Sequence, residues 1–132
     1  MTSDAQTQPV VDGVFADDPA RLQGARCGTC GQTSFPRLDG CPYCGSETIT
    51  PVELSDHGTL WGWTTVLHAP PGYLGAVPYG FGIVELPEGV RVVTRLAVPE
   101  DWWSFGQPMY LRTADLGADS DGVVLSTWEF AP

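Results

Sequence analysis

Between residues 57 and 130 the apolar positions recur with a period of two rather than 3.6, in short runs broken by glycine, proline and acidic residues. The first run, His57 to Ala69, alternates Trp61, Trp63, Thr65 and Leu67 with Leu60, Gly62, Thr64 and Val66, and predicts a long strand. The two tryptophans share a face of that strand and are expected in the core, and Gly62 marks a bulge or bend. Residues 70–78, rich in proline and glycine, form a loop. Tyr79 to Leu86 and Val90 to Ala97 make a second and third strand around the turn Pro87-Glu88-Gly89. Pro99-Glu100-Asp101 then opens a short helical turn that contains Trp102, Trp103 and Phe105. Pro108 to Thr113 is the fourth strand, and an acidic turn with Asp119, Asp121 and Gly122 leads into the fifth, Val123 to Phe130.

A long first strand and a helical element between the third and fourth suit a small five-stranded barrel of the OB type, although periodicity alone also admits other five-stranded barrels. The pattern is absent at the start of the chain. Residues 1–12 are polar and read as a loose tail. Asp17, Asp18 and Pro19 read as N-cap and first turn of a short helix that runs to about Gln23 and stops at Gly24, with Val14, Phe15 and Leu22 giving it apolar contacts. The expected fold is therefore mainly β: a tail and short helix over 1–24, a small metal-stapled lobe over 25–50, and the barrel over 51–132. The 16 glycines and 12 prolines in 132 residues agree with short strands joined by turns.

The four cysteines add the one strong chemical signal. They stand as Cys27-Gly28-Thr29-Cys30-Gly31 and, ten residues later, Cys41-Pro42-Tyr43-Cys44-Gly45. Two residues between cysteines let one tight turn present both sulfurs to a single ion, and tetrahedral zinc takes four such ligands. The glycine after each pair permits a backbone that a side chain would hinder and leaves amides free to point at the thiolates. Two disulfides or two redox pairs are the alternatives for four cysteines. Both knuckles and their spacing favour a zinc ribbon, with Cys27, Cys30, Cys41 and Cys44 holding one structural ion. Four thiolates leave the metal no open position for substrate, so such a site staples a small lobe rather than catalyses.

Charge narrows the partners. Sixteen acidic residues oppose six arginines, the chain has no lysine, and the formal net charge is −10. Such a surface repels phosphate backbones and anionic head groups, so a nucleic-acid module that stacks bases on barrel aromatics is disfavoured. Met1 to Pro9 has neither the basic start nor the apolar stretch of a signal peptide, and no run approaches the ~18 apolar residues of a membrane span. A cytoplasmic location is expected. No phosphate-binding glycine loop, His-Glu-x-x-His or Gly-x-Ser-x-Gly is present. His57, beside Asp56, reads as a solvated turn residue. His68, before the Pro-Pro-Gly-Tyr loop, is the better candidate for a role, including that of a base at neutral pH. Trp102, Trp103 and Phe105 crowd one short segment and form a candidate partner surface.

Ordered stretches over about 110 residues carry a resemblance: Leu22-Gln23-Gly24-Ala25-Arg26-Cys27, Phe35-Pro36-Arg37, Cys41-Pro42-Tyr43-Cys44-Gly45-Ser46, His57-Gly58-Thr59-Leu60, His68-Ala69-Pro70-Pro71-Gly72-Tyr73, Val84-Glu85-Leu86-Pro87-Glu88-Gly89 and the closing Trp128-Glu129-Phe130-Ala131-Pro132. With them the chain resembles the acyl-CoA-associated family that joins a rubredoxin-like zinc ribbon to an OB-fold, long catalogued as a domain of unknown function. Leu38-Asp39-Gly40 departs from the second proline and arginine that the family often keeps there. The resemblance implies a non-catalytic accessory subunit of a thiolase-fold enzyme acting on acyl-CoA, such as a thiolase, an acyltransferase or the lipid-transfer-protein-like aldolase of steroid side-chain breakdown. It implies one zinc per chain and a complex of two plus two subunits. The implied contacts to partner or acyl-CoA are Arg26, Arg37, His68, Tyr73, Trp102 and Trp103.

Overall fold

The computed structural model describes residues 7–9, 14–17, 20–97 and 103–132, and among them it has strands and no helix. The barrel is built from β6 (His57–Val66), β7 (Tyr79–Glu85), β8 (Arg91–Leu96), β9 (Pro108–Ala118) and β10 (Val124–Ala131). β6, β7 and β8 form an antiparallel meander, and β9 and β10 an antiparallel hairpin. β9 returns to pair with β6 from His57↔Tyr110 to Thr59↔Pro108, and β10 reaches β8 in parallel at Phe130↔Leu96. The sheet thus closes on itself in the OB order that the five predicted strands suggested.

Alternation sets what lies inside. Leu60, Val84, Val92, Leu96, Met109 and Phe130 point into the barrel and are buried. The register of β6 slips between Leu60 and Gly62, so Gly62 does mark a bulge. Gly58 and Leu60 take the inward positions of β6, and Trp61 and Trp63, on the other parity, are exposed rather than in the core. Gly58 has a packing reason: a Cβ there would lie 2.4 Å from the Glu85 carbonyl oxygen on β7. β9 runs five residues beyond its expected end at Thr113, because pairing with β10 continues past the polar Asp115 and through a second slip at Leu125/Ser126.

The N-terminal helix is a correction. Phe15–Asp17 (β2) and Ala20–Cys27 (β3) are strands, paired antiparallel from Phe15↔Leu22 to Asp17↔Ala20. Asp-Pro suits a turn as well as a helix start, and the apolar Phe15 and Leu22 face one another across the hairpin. The tail is corrected in part: Thr7–Pro9 (β1) pairs in parallel with Val124–Ser126 of β10. The helical turn expected from Pro99 falls largely outside the described residues. Its described remainder turns at Ser104–Gln107, where the Gln107 amide donates to the Ser104 carbonyl at 3.1 Å.

β3 is the spine of the ribbon. It pairs with Thr33–Ser34 (β4) at Ala25↔Ser34 and with Ile49–Glu53 (β5) from Gln23↔Glu53 to Cys27↔Ile49. The ribbon and barrel share one core. Leu22, Phe15 and Leu54 are buried with Met109 and Phe130, and the rings of Phe15 and Phe35 lie 5.6 and 5.7 Å from that of Trp128. The Leu54 amide donates to the Leu22 carbonyl at 2.9 Å, and Arg21 reaches Asp56 at 3.2 Å. The hydrogen bond from His57, more than the Arg21 charge, holds the Asp56 carboxyl below its ordinary value against the opposing effect of burial.

Candidate functional site

The metal centre sits where β3 ends. Cys27 is its last residue, and the next three close a knuckle in which the Gly31 amide donates to the Cys27 carbonyl at 3.0 Å. The second knuckle repeats the first: the Gly45 amide donates to the Cys41 carbonyl at 3.0 Å. Gly31 and Gly45 have φ of 77° and 78°, the left-handed conformation the sequence reserves for glycine at both places. Each first cysteine also donates its own amide across the knuckle, Cys27 to the Gln32 carbonyl at 2.9 Å and Cys41 to that of Ser46 at 2.8 Å. Thr29 Oγ1 and Ser46 Oγ, 2.9 Å apart, tie the two knuckles together.

The four Sγ atoms lie within 4.8 Å of one another, with Cys27 and Cys41 buried and Cys30 and Cys44 exposed. All four are free thiols, so this is no disulfide pair. The amides of Thr29 and Cys30 point at Cys27 Sγ at 3.3 and 3.4 Å, and that of Tyr43 at Cys41 Sγ at 3.4 Å. Donors aimed at sulfur stabilise thiolates, and four soft thiolates in one small cluster are the donor set of structural zinc. The residues fit the ion, and the site binds it as a closed zinc ribbon.

Local electrostatics divides the metal-free cluster. The Cys30 amide, outweighing burial, lowers Cys27 to about 6, and Cys41 is also lowered, its burial offset by the amides of Cys44 and Tyr43. At Cys30 the Gln32 amide pulls downward, but burial and the neighbouring thiols push it up to about 12. At Cys44 the Ser46 amide pulls downward and is outweighed by the hydrogen bond with Cys27 and by burial. Cys27 and Cys41 are thus shifted towards the thiolate and Cys30 and Cys44 towards the thiol. Loading zinc at pH 7.5 is expected to release protons, above all from Cys30 and Cys44, and affinity should climb with pH. Calorimetry of zinc binding in buffers of different ionisation enthalpy reads the count directly. Release of none would contradict this division.

The other candidate residues scatter. Arg26 and Arg37 are exposed on the ribbon, and His68 is exposed in the loop after β6. Trp102 lies outside the described residues. Trp103 does not belong to a surface patch: it is 6% exposed, with its ring beneath Gly80, where a Cβ would stand 2.0 Å from it. Phe105 is open, packed edge-on to Trp61 at 5.5 Å.

Tyr73 has the richest setting. Its ring stacks on Tyr79 at 4.7 Å, its hydroxyl accepts from Arg95, and burial pushes the phenol up. Arg95 Nε donates to Glu129 at 3.0 Å, and Arg112 Nε to the same carboxylate at 2.7 Å. Glu129 is 3% exposed, and a buried carboxylate needs such partners. This network was missed from sequence. The signal for it was a glutamate between Trp128 and Phe130.

Comparison with known proteins gives a consistent picture. Residues 19–50 match the family model described as the ChsH2 rubredoxin-like zinc ribbon domain, and residues 51–114 that of the ChsH2 C-terminal OB-fold domain. The chain is 32% identical over 109 residues to benzoylsuccinyl-CoA thiolase subunit BbsA of Thauera aromatica, which covers 83% of this chain and 74% of that one. It is also 32% identical over 114 residues to a DUF35 domain-containing scaffold protein of Pyrococcus furiosus, covering 85% and 83%. Among solved structures it is similar to a Ltp2-ChsH2(DUF35) aldolase, with a TM-score of 0.62, 33% identity, and 85% and 84% of the two chains covered.

Proposed function

Because the chain belongs to the ChsH2 (DUF35) family of zinc-ribbon and OB-fold proteins, we propose that it is a non-catalytic scaffold subunit of a thiolase-fold enzyme that acts on acyl-CoA. The observation that carries this reading is the closed four-thiolate site fused through one core to a barrel, in a chain similar over most of its length to the Ltp2-ChsH2(DUF35) aldolase. A metal with no open position and a barrel with an exposed aromatic surface serve assembly rather than turnover.

The favoured chemistry for the partner is retro-aldol cleavage of a steroid side-chain β-hydroxyacyl-CoA. The bond between α and β carbons breaks, the β-hydroxyl becomes a carbonyl, and the shortened acyl-CoA takes up a proton on its α carbon. The groups that move those protons would lie on the partner. In this reading residues 25–50 and 51–132 act as one rigid body in a cytoplasmic complex of two plus two subunits, with Arg26, Arg37, His68 and Tyr73 as candidate contacts. The 32% identity to a benzoylsuccinyl-CoA thiolase subunit supports a second reading, in which the partner is a thiolase or acyltransferase.

Reconstitution tests the proposal. The zinc-loaded chain, its thiolase-fold partner and their mixture would be assayed separately with β-hydroxyacyl-CoA and β-ketoacyl-CoA substrates. Turnover should need the partner, rise at least about tenfold on adding the chain, and be absent from the chain alone. Turnover by the isolated chain, lost in His68→Ala, would overturn the scaffold reading in favour of an enzyme.

A further inference from the structure

Residues 67–78 join β6 to β7 and form a longer connection than the roughly 2–5 residues a hairpin takes. Every residue in this loop is exposed except Tyr73 and Gly75. Tyr73 is turned back onto the barrel, stacked on Tyr79 at the start of β7 with its hydroxyl accepting from Arg95 of β8. Gly75 has no room for a side chain, because a Cβ there would run into the Tyr73 hydroxyl. Between them, the Leu74 carbonyl oxygen lies so near β9 that a Cβ at Gly117 would be 2.8 Å from it. The loop thus bends over the barrel on one half-buried side chain.

Packing alone does not fix that side chain. Tyr73 lines a cavity of about 280 Å³ with Phe81, Val93, Leu116 and Trp128, so part of its surface has no atoms against it. The polar contact with Arg95 supplies what packing leaves out, and Glu129 aims Arg95. One oxygen of the buried Glu129 carboxylate takes Arg95 Nε at 3.0 Å, and the other takes Arg112 Nε at 2.7 Å. A guanidinium is planar with its N–H directions fixed, so a carboxylate on Nε also sets where Nη1 points, and Nη1 is the atom that meets Tyr73. A buried ion pair is in general a poor way to stabilise a fold, since apolar side chains of like size often serve as well. This pair has a second consequence: it links β10 through β8 to a loop that is otherwise exposed.

We infer that the Glu129–Arg95 pair is a latch that positions the loop between β6 and β7, holding the Tyr73 hydroxyl and with it residues 72–77 in one place on the barrel. Glu129 and Arg95 act through Tyr73 and are positioning residues. The latch lies within one chain, so the inference goes beyond the scaffold reading and stands or falls apart from it. A loop held in this way meets whatever it binds without first having to be ordered.

Hydrogen exchange of the full, zinc-loaded chain tests it, with residues 72–77 followed against β7 as an internal reference. Glu129→Gln keeps the shape of the side chain and removes its charge, and Tyr73→Phe keeps the ring and removes the hydroxyl. In each variant, exchange across 72–77 should quicken at least about tenfold more than that of β7. The double variant should go no more than about twofold beyond the faster single one, because the two groups act in series. Loop exchange that stays at the wild-type rate in Tyr73→Phe, or effects that multiply in the double variant, overturn the inference. Equal quickening of loop and β7 in Glu129→Gln would give the carboxylate a merely structural role and likewise overturns it. If Glu129→Gln does not fold, Arg95→Gln breaks the same pair while leaving Glu129 its bond with Arg112, and the same outcomes decide.

Discussion

Cys27→Ser is expected to abolish stoichiometric zinc binding and to melt the whole chain, not the ribbon alone. Binding of structural zinc contributes on the order of 10–16 kcal/mol in small zinc domains. A folded domain has only about 5–15 kcal/mol of net stability, so loss of the ion is comparable to the total. The damage spreads because of where β3 runs. Cys27 is at one end of that strand and Leu22, wholly buried against the barrel core, is near the other. Phe35, between the knuckles, packs against Trp128 of β10. If the knuckles open, Leu22 and Phe35 lose their placement and the barrel loses a wall. Metal analysis should find no retained zinc in Cys27→Ser, and circular dichroism should show one broadened transition at far lower temperature. A variant without zinc that kept the wild-type midpoint would show that the ribbon is an independent appendage.

Phe130→Ala is expected to cost about 3–5 kcal/mol. Phe130 is fully buried at the point where β10 closes the barrel on Leu96 of β8. Truncating it leaves a cavity beside Met109 and Leu22, and the rigid barrel has little freedom to collapse around it. Phe105→Ala makes the contrast. That ring is 67% exposed and touches Trp61 at its edge, so its loss should change stability by less than about 1 kcal/mol. Urea unfolding followed by tryptophan fluorescence measures both. Equal destabilisation by the two substitutions would contradict the assignment of the core.

The contrast between these phenylalanines marks what the sequence could and could not say. Strand positions were legible because period two survives along β6 to β10, and the zinc centre was legible because knuckle spacing is a local covalent constraint. The aromatics were not. Trp61 and Trp63 were expected inside because they share a face, but alternation does not say which face is the inner one, and Gly58 and Leu60 took it. Trp103 was expected at the surface beside Phe105 and is instead packed beneath Gly80, a contact 23 residues distant in sequence. The helix expected from Asp17 to Gln23 gave way to strand pairing between Phe15–Asp17 and residues 20–22, which no local pattern shows. The Glu129 cluster joins β8, β9 and β10, so no local pattern could assemble it.

The same reasoning bears on function. The four ligands were readable because their chemistry is local, while a surface that a partner would cover depends on how the strands assemble.

Native mass spectrometry of the chain purified from its own host, under conditions that retain metal, tests the scaffold role most directly. The account predicts one zinc per chain and a stable complex with an enzyme of thiolase size. A zinc-loaded chain that runs alone, and stays alone when that enzyme is added back, would contradict it.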